Sequence, residues 1–500
     1  MINARSIQSI LFFVASFFIA VWLGIAIVTN QLETLIQSSA WVLLIIAVVL
    51  GRRVWLIMTF FSAANVVLVS GFGTVQIGQC LFIGMTFLIF LMRKLRFKIK
   101  IQELEIWMLL IVACIVQAYL RNPVGLNVFG GSAVGGKPYV FLILSIISAF
   151  ILSTLIINPK DLKWAYRLSI LGSLIGIGGS VARSGNITGV TTAELERIPT
   201  LGIFGQTLSN WLSSRISPLR AALHPFWAVI LLISIAAAAG SAYRNAVAGV
   251  ALTYLFAIAF HGGIKSLIFA LLAGSLAIVM LAFINLNFPL PGNIQRALSP
   301  LPGTWDKQYV DAADESTEWR VEMWKEALFT KRWIENKIIG DGIGMTSTQL
   351  RQNQMVSAAN KGKSSYGLLV QQENMLIDGS YHSGPVHSVR AAGYVGLVVL
   401  IMAMIRVAVH ASRQIQRCKG TEWHAVTLLF GIPLMVLPIF FCFVFGEYHS
   451  GVSTTMMGFA MIRLFERNIP LPAWQPRKRY IPGSTNLATR NHGSASVADA

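Results

Sequence analysis

Charged residues are scarce in this chain. Asp, Glu, Lys and Arg make up 12% of its 500 residues, against 55% hydrophobic residues and a mean hydropathy of +0.64. Soluble domains carry about twice that charged fraction, so a water-soluble fold of this length is excluded. The hydrophobic stretches also lack alternation with polar residues, which excludes a β-barrel. Only four cysteines occur, Cys80, Cys114, Cys418 and Cys442. Three lie in apolar segments and one in a basic loop, so neither a disulfide nor a zinc site is expected. No internal repeat is evident, which weakens a transporter built from inverted repeats. Residues 1–28 are too long for a signal peptide and have no small-residue cleavage site, so they read as a retained span.

What is present is a series of apolar runs of about 18–20 residues, each long enough to cross a ~30 Å hydrocarbon core. They lie near 7–28, 36–51, 54–71, 74–92, 104–120, 139–157, 164–182, 199–214, 221–240, 246–260, 266–286, 389–408, 424–445 and 451–465. The expected class is all-α: a polytopic helical membrane protein with about fourteen transmembrane helices. The formal net charge of +19 does not point to nucleic acid. The basic residues sit in short clusters between spans, as the positive-inside rule expects of cytoplasmic loops. Arg52-Arg53, the run from Arg93 to Lys100, Lys160 with Lys163, Arg215 with Arg220, and Arg413 to Lys419 are such clusters.

Residues 199–214 are ambiguous by hydropathy, and topology arbitrates. Counted as a span, they make Arg215 and Arg220 a cytoplasmic turn like the other clusters and leave both termini inside. Left out, they invert the sides of everything that follows. The expected organisation is residues 1–286 with about eleven helices and outward arginine-bearing loops, a large outer loop over 287–388, about three more helices in 389–465, and a basic tail in 466–500. The tail cannot bury an apolar face and is expected to be disordered, with its basic start against anionic membrane lipid.

The large loop carries a helical pattern over 316–336, with Ser316 as N-cap and Glu318 in the first turn. Trp319, Met323, Trp324, Ala327 and Leu328 form its apolar face. Arg320 stands one turn before Trp324, and the pattern breaks at Gly340-Asp341-Gly342-Ile343-Gly344. Of the histidines, topology puts His382, His387 and His449 outside. His224, His261, His410 and His424 fall at inner ends of spans, and His492 is in the tail. Histidines at helix ends are more often caps than catalysts, but Ser383-Gly384-Pro385 gives His382 a loop setting beside a span. Outward arginines oppose the positive-inside bias, and Arg197, Arg244 and Arg320 each stand where an apolar segment begins or ends. A guanidinium donates two parallel hydrogen bonds to a phosphate. The three therefore suggest an outward basic pocket near the interface, suited to a lipid diphosphate.

His382-Ser383, nine residues and then Gly393-Tyr394-Val395-Gly396 resembles the His-[Asn/Ser/Gln]-x9-Gly-x-x-Gly pattern of the O-antigen ligase/polymerase superfamily. Upstream, Arg320-x-x-x-Trp324 and Ile339-Gly340-x-Gly342-x-Gly344 are similar to that family's Arg-x-x-x-Trp and Pro-x-Gly-x-Gly segments, with Ile338-Ile339 in place of the usual Pro-Leu. Gly240-Ser241-Ala242-Tyr243-Arg244 resembles its Ser-Arg segment with two residues inserted, and Arg197 to Gly205 resembles its Arg-x-x-Gly-x-Phe stretch. The likeness runs over 195–400.

The resemblance implies a GT-C-like, metal-independent glycosyltransferase of the bacterial inner membrane, with its active site on the periplasmic side. Its donor would be an undecaprenyl-diphosphate-linked glycan and its acceptor another glycan or lipid A-core. It implies that His382 is the general base, that Arg320 and Arg244 bind the diphosphate, and that Arg197 assists. His387 has no counterpart in the pattern; it is expected either to support the site from behind, as Trp324 is, or to contact lipid headgroups. An imidazole of ordinary pKa near ~6.5 suits base work at neutral pH, and arginines can neutralise a diphosphate leaving group in place of a metal. No outward carboxylate triad is evident beside these residues, so Mg²⁺ is not expected, and no cofactor is implied. The alternative is a transporter of polysaccharide or lipid-linked glycan. It would place ionisable residues near the midplane of the spans, where this sequence has few.

Overall fold

The computed structural model describes residues 53–470 except 66, 70–71, 92–100, 125–135, 185–189, 193–194, 300, 302, 345–354, 356–374 and 378. The expected spans at 7–28 and 36–51, the basic run from Arg93 to Lys100 and nearly all of the tail lie outside the described residues. The rest is a helical membrane protein. Among the described residues six helices are long and apolar enough to cross a membrane. These are α2 (Thr74–Leu91), α3 (Glu103–Arg121), α4 (Lys137–Thr154), α8 (Arg244–Asn287), α11 (Gly384–Arg417) and α12 (His424–Phe443). With them stand α1 (Leu56–Ala64), α5 (Leu162–Ser184), α6 (Pro199–Arg215), α7 (Pro225–Gly240), α9 (Gly292–Leu298), α10 (Lys307–Phe329) and α13 (Tyr448–Asn468). Two antiparallel two-stranded ribbons interrupt them: β1 (Val67–Val69) with β2 (Phe72–Gly73), and β3 (Val190–Thr192) with β4 (Leu195–Arg197).

The apolar stretch at 54–71 does not form one span. Its helix α1 stops at Ala64, capped by Asn65 in the left-handed conformation (φ 39°), and the chain then runs as a ribbon. Asparagine tolerates that geometry, and the valines that follow favour extended backbone. Residues 199–214, ambiguous by hydropathy, are helical as α6, started by Pro199 at its first position. The loop helix begins earlier than its pattern suggested. Asp306, rather than Ser316, is the N-cap, accepting from Gln308 N at 3.2 Å, and the helix ends at Phe329 rather than near Asn336.

The expected pair 246–260 and 266–286 is one hydrogen-bonded run, α8, broken at Gly263 (φ 76°, ψ −173°). A straight helix of that length would reach some 66 Å. Instead both its ends meet the same segment: Arg244 donates to Thr317 Oγ1 at 3.2 Å, and Asn285 donates to the carbonyl of Thr304 at 2.7 Å. Its middle lies elsewhere, with His261 Nε2 2.8 Å from Ser213 O. The break at Gly263 therefore turns the helix back on itself.

Contacts sort the helix ends into two sets. One end gathers the basic turns: Lys163 pairs with Glu422 at 2.7 Å, Arg53 with Asp161 at 2.9 Å, and Lys419 Nζ lies 3.3 Å from Phe260 O. Beneath them, Arg463 pairs with Glu105 at 2.6 Å and Glu466 at 2.5 Å, Arg467 with Glu105 at 3.3 Å, and His410 Nδ1 with Glu466 at 2.7 Å. Two arginines facing two carboxylates balance the buried charge and fix α13 against α3 and α11. The opposite end carries the sequence-derived site.

Candidate functional site

The site is built on a break in α11. Gly393 adopts φ 72°, ψ −177°, a region open essentially only to glycine. The break frees backbone groups that must find partners in a water-poor interior, and residues 337–342 supply them. Tyr394 N donates to Lys337 O at 2.8 Å and Val395 N to Ile338 O at 3.1 Å. In return Asp341 N donates to Arg390 O at 2.6 Å and Gly342 N to Ala391 O at 3.2 Å. The two backbones touch where the two glycine motifs cross. A Cβ on Gly393 would lie 2.1 Å from Ile338 O, and one on Gly340 (φ 79°) would lie 2.5 Å from the nitrogens of Ala392 and Gly393.

The far side of this segment is held by α3 and α4. Gln117 Nε2 and Arg121 Nη2 donate to Ile339 O at 3.3 and 3.2 Å, Arg121 also reaches Gly340 O, and Asn122 donates to Asp341 O at 2.7 Å. Ile343 N donates to the Tyr139 hydroxyl at 2.9 Å. The Asp341 carboxylate accepts from Glu335 N and Asn336 N at 2.7 and 2.9 Å, closing the turn. Sequence reasoning passed over Gln117, Arg121, Asn122 and Tyr139. Arg121 did carry a signal, as an arginine at the end of a span away from the basic turns.

His382 is half-buried just before α11, with a left-handed backbone (φ 51°). The preceding residue is anchored: fully buried Tyr381 offers its carbonyl to Trp324 Nε1 at 2.7 Å. That bond ties α10 to the His382 turn, within a cluster of Met323, Ala327, Ile334, Val386 and Val389. Arg320 lies one turn before Trp324, with its guanidinium carbon 5.7 Å from the Trp319 ring. Burial, and then the Arg320 charge, hold the His382 imidazole below its usual 6.5, while Glu447 pulls the other way. A lowered value keeps the ring neutral, and so able to accept a proton, at neutral pH.

Arg244 joins the same end from α8. Its bond to Thr317 reaches α10 three residues before Arg320. Arg197 comes close through the backbone, Ile198 N donating to Ser241 O at 3.3 Å in the turn that leads to Arg244. His387 faces elsewhere. Its Nδ1 accepts from Tyr448 N at 3.2 Å, and its ring centre is 5.8 Å from that of His449. Beside Arg244 opens a cavity of about 590 Å³, lined by Tyr243, Asn245, Gln206, Asn210, Thr253 and Phe440 among others.

Residues 227–401 match the sequence profile of the family described as O-antigen ligase. Over that stretch the chain is similar to the O-antigen ligase/polymerase superfamily. The matched stretch takes in Arg244, Arg320, Trp324, His382, His387 and both glycine motifs, while Arg197 and the α3–α4 clamp precede it. No curated protein matches the chain.

Proposed function

We propose that this chain, similar over residues 227–401 to the O-antigen ligase family, transfers a glycan from undecaprenyl diphosphate to an acceptor hydroxyl at the periplasmic face of a bacterial inner membrane, in lipopolysaccharide or exopolysaccharide synthesis. One observation carries the reading. The helix that bears Arg320 is tied both to the His382 turn, through Trp324–Tyr381, and to Arg244, through Thr317, at the bundle end opposite the basic turns. In this reading the basic turns are cytoplasmic, the helices number about fourteen in a GT-C-like arrangement, and residues 287–388 form the periplasmic loop.

The acceptor hydroxyl oxygen attacks the anomeric carbon of the donor, and the bond from that carbon to the diphosphate oxygen breaks. The hydroxyl proton passes to a nitrogen of His382, and the lipid diphosphate departs with the bonding electron pair. Arg320 and Arg244, with Arg197 beside them, bind the charge that develops on the diphosphate. Trp324 fixes the His382 turn relative to Arg320. Acceptors compatible with this chemistry are lipid A-core sugar, a further repeat unit or a protein hydroxyl.

Deletion of the gene, followed by a glycan profile, tests the reading and separates its forms. Polymerised but unattached glycan identifies a ligase, single repeat units a polymerase, and loss of secreted polymer an exopolysaccharide system. An unchanged profile contradicts all three. Since arginines do the charge neutralisation, transfer is expected to persist in excess chelator; a loss with EDTA that Mg²⁺ restores contradicts a metal-free mechanism. Topology is checked by Glu335→Cys, at an exposed residue of the loop. It is expected to react with an impermeant maleimide in intact spheroplasts, and labelling only after lysis would invert the bundle.

A further inference from the structure

The loop between α12 and α13 packs directly over the His382 turn. Phe445 lays its ring on the His382 imidazole, with centroids 5.6 Å apart and planes 32° from parallel. Next to it Gly446 is so close that an added Cβ would lie 3.0 Å from Gly384 Cα. Tyr448 N donates to His387 Nδ1. Between Gly446 and Tyr448 stands Glu447, whose Oε2 is 3.2 Å from His449 Nε2 and whose carbonyl accepts from Gly451 N at 2.9 Å. The Glu447 backbone is thus held by the first turn of α13, and its carboxylate is steadied by His449.

The proposed reaction gives this carboxylate a purpose. When His382 takes the acceptor proton, its imidazolium stands near the Arg320 guanidinium. The diphosphate offsets both cations only until it leaves. Of the groups on the packed elements, Arg320 disfavours the protonated ring and Glu447 favours it. His449 and Arg390 act instead on His387, in the neighbouring cluster. We propose that Glu447 is the positioning residue of His382, its carboxylate holding the protonated imidazole opposite Arg320 while His449 keeps that carboxylate in place. The proposal rests on His382 being the base.

The test is the pH dependence of His382 acylation by diethyl pyrocarbonate in the full chain in lipid nanodiscs, read on the His382 peptide by mass spectrometry beside the pH–rate profile. Only the neutral ring reacts. In Glu447→Gln the acylation midpoint is expected to move to lower pH and kcat to fall about tenfold with donor KM unchanged. Glu447→Asp, which keeps the charge, is expected to restore the midpoint and most of the rate. His449→Gln is expected to give a smaller shift in the same direction. An unmoved midpoint in Glu447→Gln overturns the proposal whatever reaction the chain runs. A raised KM and equal loss at every pH also overturn it, because they mark a helix cap only. Full transfer by His382→Ala instead overturns the base reading, and the proposal with it, in a variant that leaves Glu447 intact.

Discussion

His382→Ala is expected to lower glycan transfer by roughly 10²–10⁴-fold, the usual contribution of a positioned general base, with protein level and membrane insertion unchanged. The substitution removes the imidazole on which the Arg320 charge acts while sparing what holds the turn. Tyr381 keeps its bond to Trp324, and Gly384 to Val389 remain packed. Because His382 has a positive φ of 51°, His382→Asn is the better control for strain, asparagine being at ease there; it is expected to be equally inactive. Arg320→Ala is expected to act on the same step by weakening the grip on the diphosphate. Arg320→Lys is expected to recover little, since an ammonium cannot donate the paired bonds of a guanidinium. The measurement is transfer of lipid-linked glycan by purified variants of matched melting temperature. Wild-type turnover in His382→Ala would sink the mechanism.

Gly393→Ala is expected to be severely disruptive for a single added methyl. The backbone there costs about 1–3 kcal/mol for any residue with a side chain. The new methyl would also lie 2.1 Å from Ile338 O and 2.4 Å from Ile339 N. Relieving that overlap means separating α11 from residues 337–342 and giving up four backbone bonds in which each side donates two. The buried groups left behind would each cost about 1–3 kcal/mol. The expected result is a marked fall in melting temperature in detergent, or failure to accumulate. Gly84→Ala is the control: it adds the same methyl to α2 where nothing lies within 4 Å, and is expected to be neutral or slightly stabilising. Equal melting of the two variants would show that the crossing is not close.

The two glycine motifs were visible as spacing in the sequence, but their shared purpose was not. Gly340 and Gly393 are fifty-odd residues apart, and only the fold puts one backbone against the other. The helix in the large loop was legible from Trp319, Met323, Trp324, Ala327 and Leu328, because an apolar stripe is a local property. Its start was not. Ser316 and Asp306 both have the chemistry of an N-cap, and the choice falls on Asp306, where Asn285, Gln295 and Thr304 brace the preceding turn. The segment 54–71 misled for the opposite reason: hydropathy measures affinity for lipid and says nothing of Asn65, which ends the helix.

Sequence alone determined the class and the chemistry available. A chain with this little charge and runs this long has to enter a bilayer as helices, since only helices and closed barrels satisfy every backbone group there. His382, Arg320 and Arg244 could be chosen because histidine and arginine at the ends of apolar segments, away from the basic clusters, stand out against their surroundings. Tertiary structure decided which of these groups meet. It joined Arg244 to α10 through Thr317, turned His387 toward Tyr448 and His449, and brought Phe445, two residues before Glu447, onto His382. The break at Gly393, with the segment that fills it, decided where His382 stands. Side-chain type follows from composition, but proximity across hundreds of residues follows from how buried backbone groups find partners.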